Sequence, residues 1–206
     1  MDSIVSRLTQ SSLLYATLFG VRTALEKNLG IHNLELSTSN DHSRSLASKI
    51  TADSTTYSWL SLQELAVIRR TNGKLTKRHG LPLGSADATK ATSVKAWLWP
   101  VTIGLNLHYV NTNPIETIHM AEAMVVLASI GGASFELKFG EVLDLHIDIK
   151  APENVTVPIK DVDDTTIAAS EVELYLTVDT YAGFLQHVAA VNGNPPNFSY
   201  IFKDTL

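Results

Sequence analysis

The chain has 206 residues and a formal net charge of −5, with 45% hydrophobic and 18% charged residues; that is enough apolar material for one full core and excludes wholesale disorder. It has no cysteine, which rules out a disulfide frame, a Cys-ligated zinc and a thiol nucleophile. No apolar run approaches the roughly 20 residues of a membrane-spanning helix, and the opening Met1-Asp2-Ser3-Ile4 lacks a basic region ahead of an apolar one, so a protein made in the cytoplasm and free of the membrane is expected.

Residues 3–29 are predicted as one helix. Asp2 or Ser3 caps it, and Ile4, Val5, Leu8, Tyr15, Leu18, Phe19 and Leu25 recur at helical spacing before Gly30 stops it. A short strand is expected around His32–Leu36, then a polar loop over Ser37–Thr56. Tyr57–Arg70 holds a further element whose type the pattern leaves open, because Leu60, Leu62, Leu65 and Ile68 fit a helix no better than a mixed segment. Thr71–Thr92 carries three glycines and Pro82, and is long for an idle connection inside a domain.

The second half has a clearer rhythm. Val101, Ile103, Leu105, Leu107 and Tyr109 alternate with polar or small residues, as a half-buried strand does. Asn113-Pro114 opens a helix with Glu116 in its first turn, and Gly131-Gly132 end it near residue 130. Ile115, Ile118, Met124, Val125 and Leu127 are its expected buried stripe. Alternation returns at Phe135–Phe139, Leu143–Lys150 and Glu171–Asp179, and a short strand is expected at Val155–Val157. Phe184–Val191 is predicted as a short helix, the prolines at 195 and 196 break the chain, and Phe198, Tyr200 and Phe202 alternate once more.

Strands with one apolar and one polar face belong to an antiparallel sheet covered on one side. The expected fold is therefore α+β: a mainly antiparallel sheet with the two helices on one face. Residues 1–183 form one domain with long insertion loops at about 37–93, and 184–206 form a C-terminal arm. That arm either reaches a neighbouring subunit or folds back onto its own sheet edge.

Charge is segregated along the chain. Between Leu65 and Ile115, Arg69, Arg70, Lys74, Lys77, Arg78, Lys90 and Lys95 face the single acid Asp87, whereas the residues from Glu116 onward carry 14 acids and 4 bases. Opposite patches of this kind dock copies of a chain or a partner, unless the run is simply a solvated loop. The basic cluster has no interleaved aromatics and no nucleic-acid reading motif. Trp97 and Trp99, on the same side of one strand, suit a core or an interface.

Signatures of catalysis are sparse. Asp144, His146 and Asp148 share one strand face and are competent metal ligands, the basis of an alternative reading as a metal-dependent hydrolase; their spacing of roughly 6.5–7 Å favours a solvated face instead. His119 and Glu122 lie about one helical turn apart without the second histidine of a zinc-protease helix. Phosphate-loop, dinucleotide and nucleophile-elbow motifs are absent, and no serine is placed locally against a histidine. No cofactor and no enzyme activity are expected; the residues fit a structural or interaction protein.

The order of elements adds a resemblance. Ser11-Ser12-Leu13-Leu14-Tyr15-Ala16-Thr17-Leu18-Phe19-Gly20, the strand Thr102–Val110, the helix from Pro114, and the strand Ser170–Gly183 ending Val178-Asp179-Thr180-Tyr181-Ala182-Gly183 together resemble the tail terminator proteins of long-tailed bacteriophages, particularly the connector of contractile tails. The likeness covers most of 94–183 and, more loosely, the first helix. It implies a virion protein of the tail and neck: a hexameric ring that ends the tail tube, contacts the tube and the neck and head-completion proteins, with the sheath a further candidate partner, and lets DNA pass. Arg69, Arg70, Lys74, Lys77, Arg78, Trp97, Trp99, Phe198, Tyr200 and Phe202 are then the candidate contacts between subunits or with partners. Glu136, Glu141, Asp161, Asp163 and Asp164 are candidate acidic lining of the channel. Another neck or baseplate position is the alternative within the same setting.

Overall fold

In the computed structural model, residues 13–37, 49–50, 55–67, 81–82, 93–139, 143–162, 168–189 and 198–202 are described, those at 67, 81–82, 93–99, 138–139, 143–144, 183–189 and 198–202 as backbone positions. In chain order the elements are α1 (Leu13–Leu29), β1 (Glu35–Ser37), β2 (Thr56–Val67), β3 (Leu81–Pro82), β4 (Ser93–Asn111), α2 (Pro114–Ser129), β5 (Ala133–Phe139), β6 (Leu143–Lys150), β7 (Ile159–Asp161), β8 (Ser170–Ala189) and β9 (Phe198–Phe202). The strands make one sheet in the order β1-β2-β4-β8-β6-β5-β9, with β3 beside β4 and β7 beside β8. Every pairing is antiparallel except the parallel edge pair β1–β2. The fold is α+β.

Alternation sets the core. Across the β4–β8 ladder, Ile103, Leu105, Leu107 and Tyr109 stand opposite Val178, Leu176, Leu174 and Val172, and all eight are buried. The apolar row continues through Leu60 on β2, Ile147 and Ile149 on β6, and Phe135 and Leu137 on β5; one buried cluster joins these residues to both helices. At ~25 cal/mol per Å² of apolar surface removed from water, this layer is the main drive to fold.

Helix α1 contributes Leu13, Ala16, Thr17, Gly20, Val21, Ala24, Leu25 and Leu29, an i, i+3, i+4, i+7 stripe. Small residues in it let the helix sit close to the sheet: a Cβ on Gly20 would lie 2.2 Å from the Phe135 ring. The buried Thr17 hydroxyl meets Thr180 Oγ1 at 2.8 Å and donates to the Leu13 carbonyl at 2.8 Å when it is not donating across. Helix α2 begins as expected, with the Asn113 side chain accepting from Ile115 N and Pro114 in the first turn. It ends at Gly131 and Gly132, both at positive φ, where the Gly132 N–H donates back to the Leu127 carbonyl at 2.9 Å.

Three expectations change and one open point is settled. The Ile115, Ile118 and Val125 side chains of α2 are exposed at 59%, 48% and 46%; Thr117, Ala121, Met124 and Leu127 are buried instead. The helix is apolar on two sides, and the side carrying Thr117, Ala121, Met124 and Leu127 is the one that packs. Residues 184–189 continue β8 and do not form a helix, because β4 offers ladder partners to all of them but Val188. Val155–Val157 has no strand, and the short strand falls at Ile159–Asp161. The element of open type at Tyr57–Arg70 is strand β2. Most of the expected loops at 37–93 and the first twelve residues lie outside the described residues.

Of the two routes left open for the C-terminal segment, β9 follows the second: Phe198, Tyr200 and Phe202 stand opposite Phe139, Leu137 and Phe135 of the same chain.

Candidate functional site

On the face turned away from the large buried cluster, β2, β4 and β8 carry a connected polar network. The register brings Trp59 beside His108, and Ser61 beside Asn106; it sets Glu173 beside His108 and Glu171 beside Val110. Tyr57, Trp59 and His108 form a stack: the Trp59 and His108 rings are 4.4 Å apart and nearly parallel at 5°, and Tyr57 lies 5.2 Å from Trp59. His108 is 2% exposed and Ser61 fully buried. This face is covered in part by Ile50 and Ala169, which join Tyr57, Trp59 and Val110 in a second buried cluster, so the sheet is not bare on its polar side as the alternation implied.

His108 is held at both ring nitrogens. Nδ1 meets Glu171 Oε1 at 2.7 Å and Nε2 meets Ser61 Oγ at 3.0 Å. A carboxylate accepts only, so Nδ1 carries the proton toward Glu171, and Nε2 faces the Ser61 hydroxyl, which can donate or accept. Gln63 Nε2 donates to Ser61 Oγ at 2.8 Å. A serine, an imidazole and a carboxylate in series have the order of a nucleophile relay. Here the hydroxyl has no exposed surface, and what the trio does is join β2, β4 and β8 through satisfied buried polar groups. The sequence reading saw no serine placed against a histidine; these two are 47 residues apart and meet only through strand pairing.

Further along the same face, Asn106 Nδ2 donates to Glu173 Oε1, which also receives Lys160 at 3.2 Å on its other oxygen. Tyr175 donates to Glu64 at 3.0 Å, and burial together with that bond pushes its phenol up from the usual value. Gly104 leaves the room for this pair, since a Cβ there would come within 2.7 Å of both side chains. Asp179 accepts from Thr102 at 2.7 Å and from Lys150 at 3.0 Å; these bonds hold its carboxyl below the ordinary aspartate value and raise the Lys150 ammonium. At the sheet edge Glu35 accepts from Tyr57 at 2.9 Å and Lys49 at 2.6 Å. Burial, then Glu35, raises the Tyr57 phenol far above its usual range.

The residues singled out from the sequence are scattered. Arg69, Arg70, Lys74, Lys77, Arg78, Glu141, Asp163 and Asp164 lie outside the described residues. Trp97 and Trp99 stand on β4 opposite Phe184 and Ala182. Glu136 is half-buried on β5 opposite His146, and Asp161 is exposed on β7. His146 Nε2 meets Asp148 Oδ1 at 3.1 Å with both side chains about half exposed, while Asp144 is a backbone position opposite Lys138. Among the described residues no three His, Asp or Glu side chains are grouped to hold a metal ion. No protein-family model matches the chain, and no curated protein is significantly similar to it.

Among the described residues, two hollows border the helices and the sheet together. One of about 370 Å³ is bordered by His32, Ser58, Tyr109, Glu116 and His119. The other, about 460 Å³ and mostly apolar, runs between α1 and the β1 edge, with Tyr15, Leu18, Leu36, Leu60, Leu62 and Leu105 along it. The outer side of α2 is apolar as well, through Ile115, Ile118, Val125 and Val126, each 46–59% exposed. Nothing in the sequence marked these surfaces, because the same residue types serve the core.

Proposed function

We propose that this chain is a self-assembling structural subunit of a long-tailed bacteriophage, working as a ring that ends the tail tube and joins it to the neck. The observation that carries the reading is the β4–β8 ribbon. The two strands pair without interruption from Asn111 and Ser170 to Val94 and His187, with one register irregularity at Ser93. Among the described residues, β2 accompanies β4 as far as Val101, and β6 meets β8 at Thr177 and Val178. Past Val101 the ribbon runs on for roughly 25 Å with only the two residues of β3 beside it among the described residues.

A two-stranded ribbon is marginal alone in water, and the N–H and C=O groups of an edge strand are templates for another strand. Sister copies complete such a ribbon by strand addition, and contacts that close under rotation give a ring. The order of elements that resembles tail terminators supplies the setting. Acidic groups such as Glu136 and Asp161, if turned to a central channel, let DNA pass unheld, because phosphate binding depends on Lys and Arg contacts. Negative-stain imaging of the purified protein is expected to show rings. Particles lacking the protein are expected to carry overlong tails; tailless heads beside normal free tails would place it on the head side of the neck. A monomer that never binds tube ends would overturn the proposal.

A further inference from the structure

We infer that the outer face of α2 pairs antiparallel with the same face of a second copy, a contact additional to the strand-completed ring and independent of it. Ile115, His119, Glu122 and Val126 recur at i, i+4, i+7 and i+11, the seam spacing of a two-helix coiled coil, and all four are exposed. The seam lies on the side of α2 opposite the buried Thr117, Ala121 and Met124. Ile118 and Val125 flank it together on one side, 48% and 46% exposed. A contiguous apolar patch of this kind marks a contact surface.

The occupant follows from the charge the seam carries. Helix α2 has no Lys or Arg, and among the described residues His119 and Glu122 have no hydrogen bond or ion pair. Turned antiparallel about the midpoint between these two residues, a pair of seams sets His119 level with Glu122 of the second copy, and Ile115 level with Val126 of the second copy. By symmetry each pairing occurs twice. The same two-fold leaves both flanks on one side, so Ile118 comes against Val125 of the second copy. All four aliphatic side chains are then covered by aliphatic ones, and the histidine meets a carboxylate. In parallel register Glu122 would instead meet its own mate, and like charges brought together in an interface are strongly disfavoured. A polar pair inside an otherwise apolar seam thus fixes register and direction. A two-fold contact joins two copies and goes no further, so it neither requires nor replaces ring formation.

Cysteine crosslinking reads both the contact and its direction, because the chain has no cysteine of its own. Positions 115 and 126 are about 16 Å apart along one helix, too far for a disulfide within a chain. Under mild oxidation, Ile115→Cys mixed with Val126→Cys is expected to give a disulfide-linked heterodimer, and neither variant alone to crosslink. In sedimentation velocity, Val126→Asp is expected to weaken two-fold association about tenfold or more, with its melting curve unchanged because the position is exposed. His119→Glu is expected to weaken it too, and His119→Glu combined with Glu122→Lys to restore it. Rings that persist in Val126→Asp, beside a mixed disulfide in the cysteine pair, are the expected outcome if both proposals hold. Single-cysteine variants that crosslink with themselves would mean parallel pairing and overturn the arrangement. Absence of the mixed disulfide, or a Val126→Asp chain that associates as the wild type does, would overturn the contact, leave the face to a partner of another kind and leave the ring standing.

Discussion

Gly20→Ala separates two effects of opposite sign. In an isolated helix the change stabilises by about 1 kcal/mol, since glycine is the poorest helix former after proline. In this fold the new methyl would sit 2.2, 2.6 and 2.7 Å from three ring carbons of Phe135. Carbon atoms prefer about 3.5–4.0 Å, so either the ring or the helix must move by more than 1 Å. Phe135 is 1% exposed within the core cluster, so making room for the methyl disturbs the packing of α1 against β5. Overpacking of this kind costs about 1–3 kcal/mol, and here the overlap puts it near the top of that range. After the helix-propensity gain, a net loss of about 1–2 kcal/mol remains. For a chain of this size that lowers Tm by about 2–8 °C. Urea unfolding followed by circular dichroism, with the slope m unchanged, gives the measurement. In a Phe135→Leu background the same substitution is expected to be neutral or stabilising, a coupling that a double-mutant cycle reads directly. A Gly20→Ala protein as stable as the parent or more so would refute the close approach of α1 to β5.

Ser61→Ala is expected to destabilise by about 1–3 kcal/mol, because it leaves the buried His108 Nε2 without a partner; unchanged urea midpoints would mean that the two residues do not bond. Gly132→Ala is expected to prevent normal folding, since its Cβ would lie 1.8 Å from the Ile149 carbonyl oxygen. Gly131→Ala, with open space around it and a φ of +90°, is expected to cost only about 1–3 kcal/mol of backbone strain; equal effects on expression and melting would contradict that difference. The Asp179–Lys150 pair has a pH window. The lowered Asp179 pKa contributes stability above the ordinary value of 3.8, lost as pH falls through the folded-state value. The raised Lys150 pKa contributes stability below 10.5, lost as pH rises through its folded-state value. Both side chains are about half exposed, so the amplitude is about 0.5 kcal/mol or less. Subtracting the stability–pH curve of Lys150→Ala from that of the parent is expected to leave a shallow plateau with losses at both ends, and a flat difference would show that the pair contributes nothing.

Much of the candidate site was out of reach of a linear reading. β6 falls where its alternation predicts, at Leu143–Lys150, and α2 starts at Asn113-Pro114 and stops at Gly131-Gly132 as its caps require. β2 is harder, because Leu60, Leu62 and Leu65 do not alternate strictly and the ladder shifts between Leu62 and Glu64. Had that stretch been read as a strand, Tyr57, Trp59 and Ser61 would have fallen on one face, which is the only signal that could have found the His108 network.

Composition and local periodicity therefore determined, without coordinates, the α+β class and the type and approximate limits of most elements in the second half, because those depend on neighbours within about one turn or two pleats. Only the tertiary structure decided which apolar side of α2 is buried, that 184–189 extends β8, and that Ser61 meets His108 across 47 residues. These depend on register between distant segments, and on which of two comparably apolar faces of α2 meets the rest of the core.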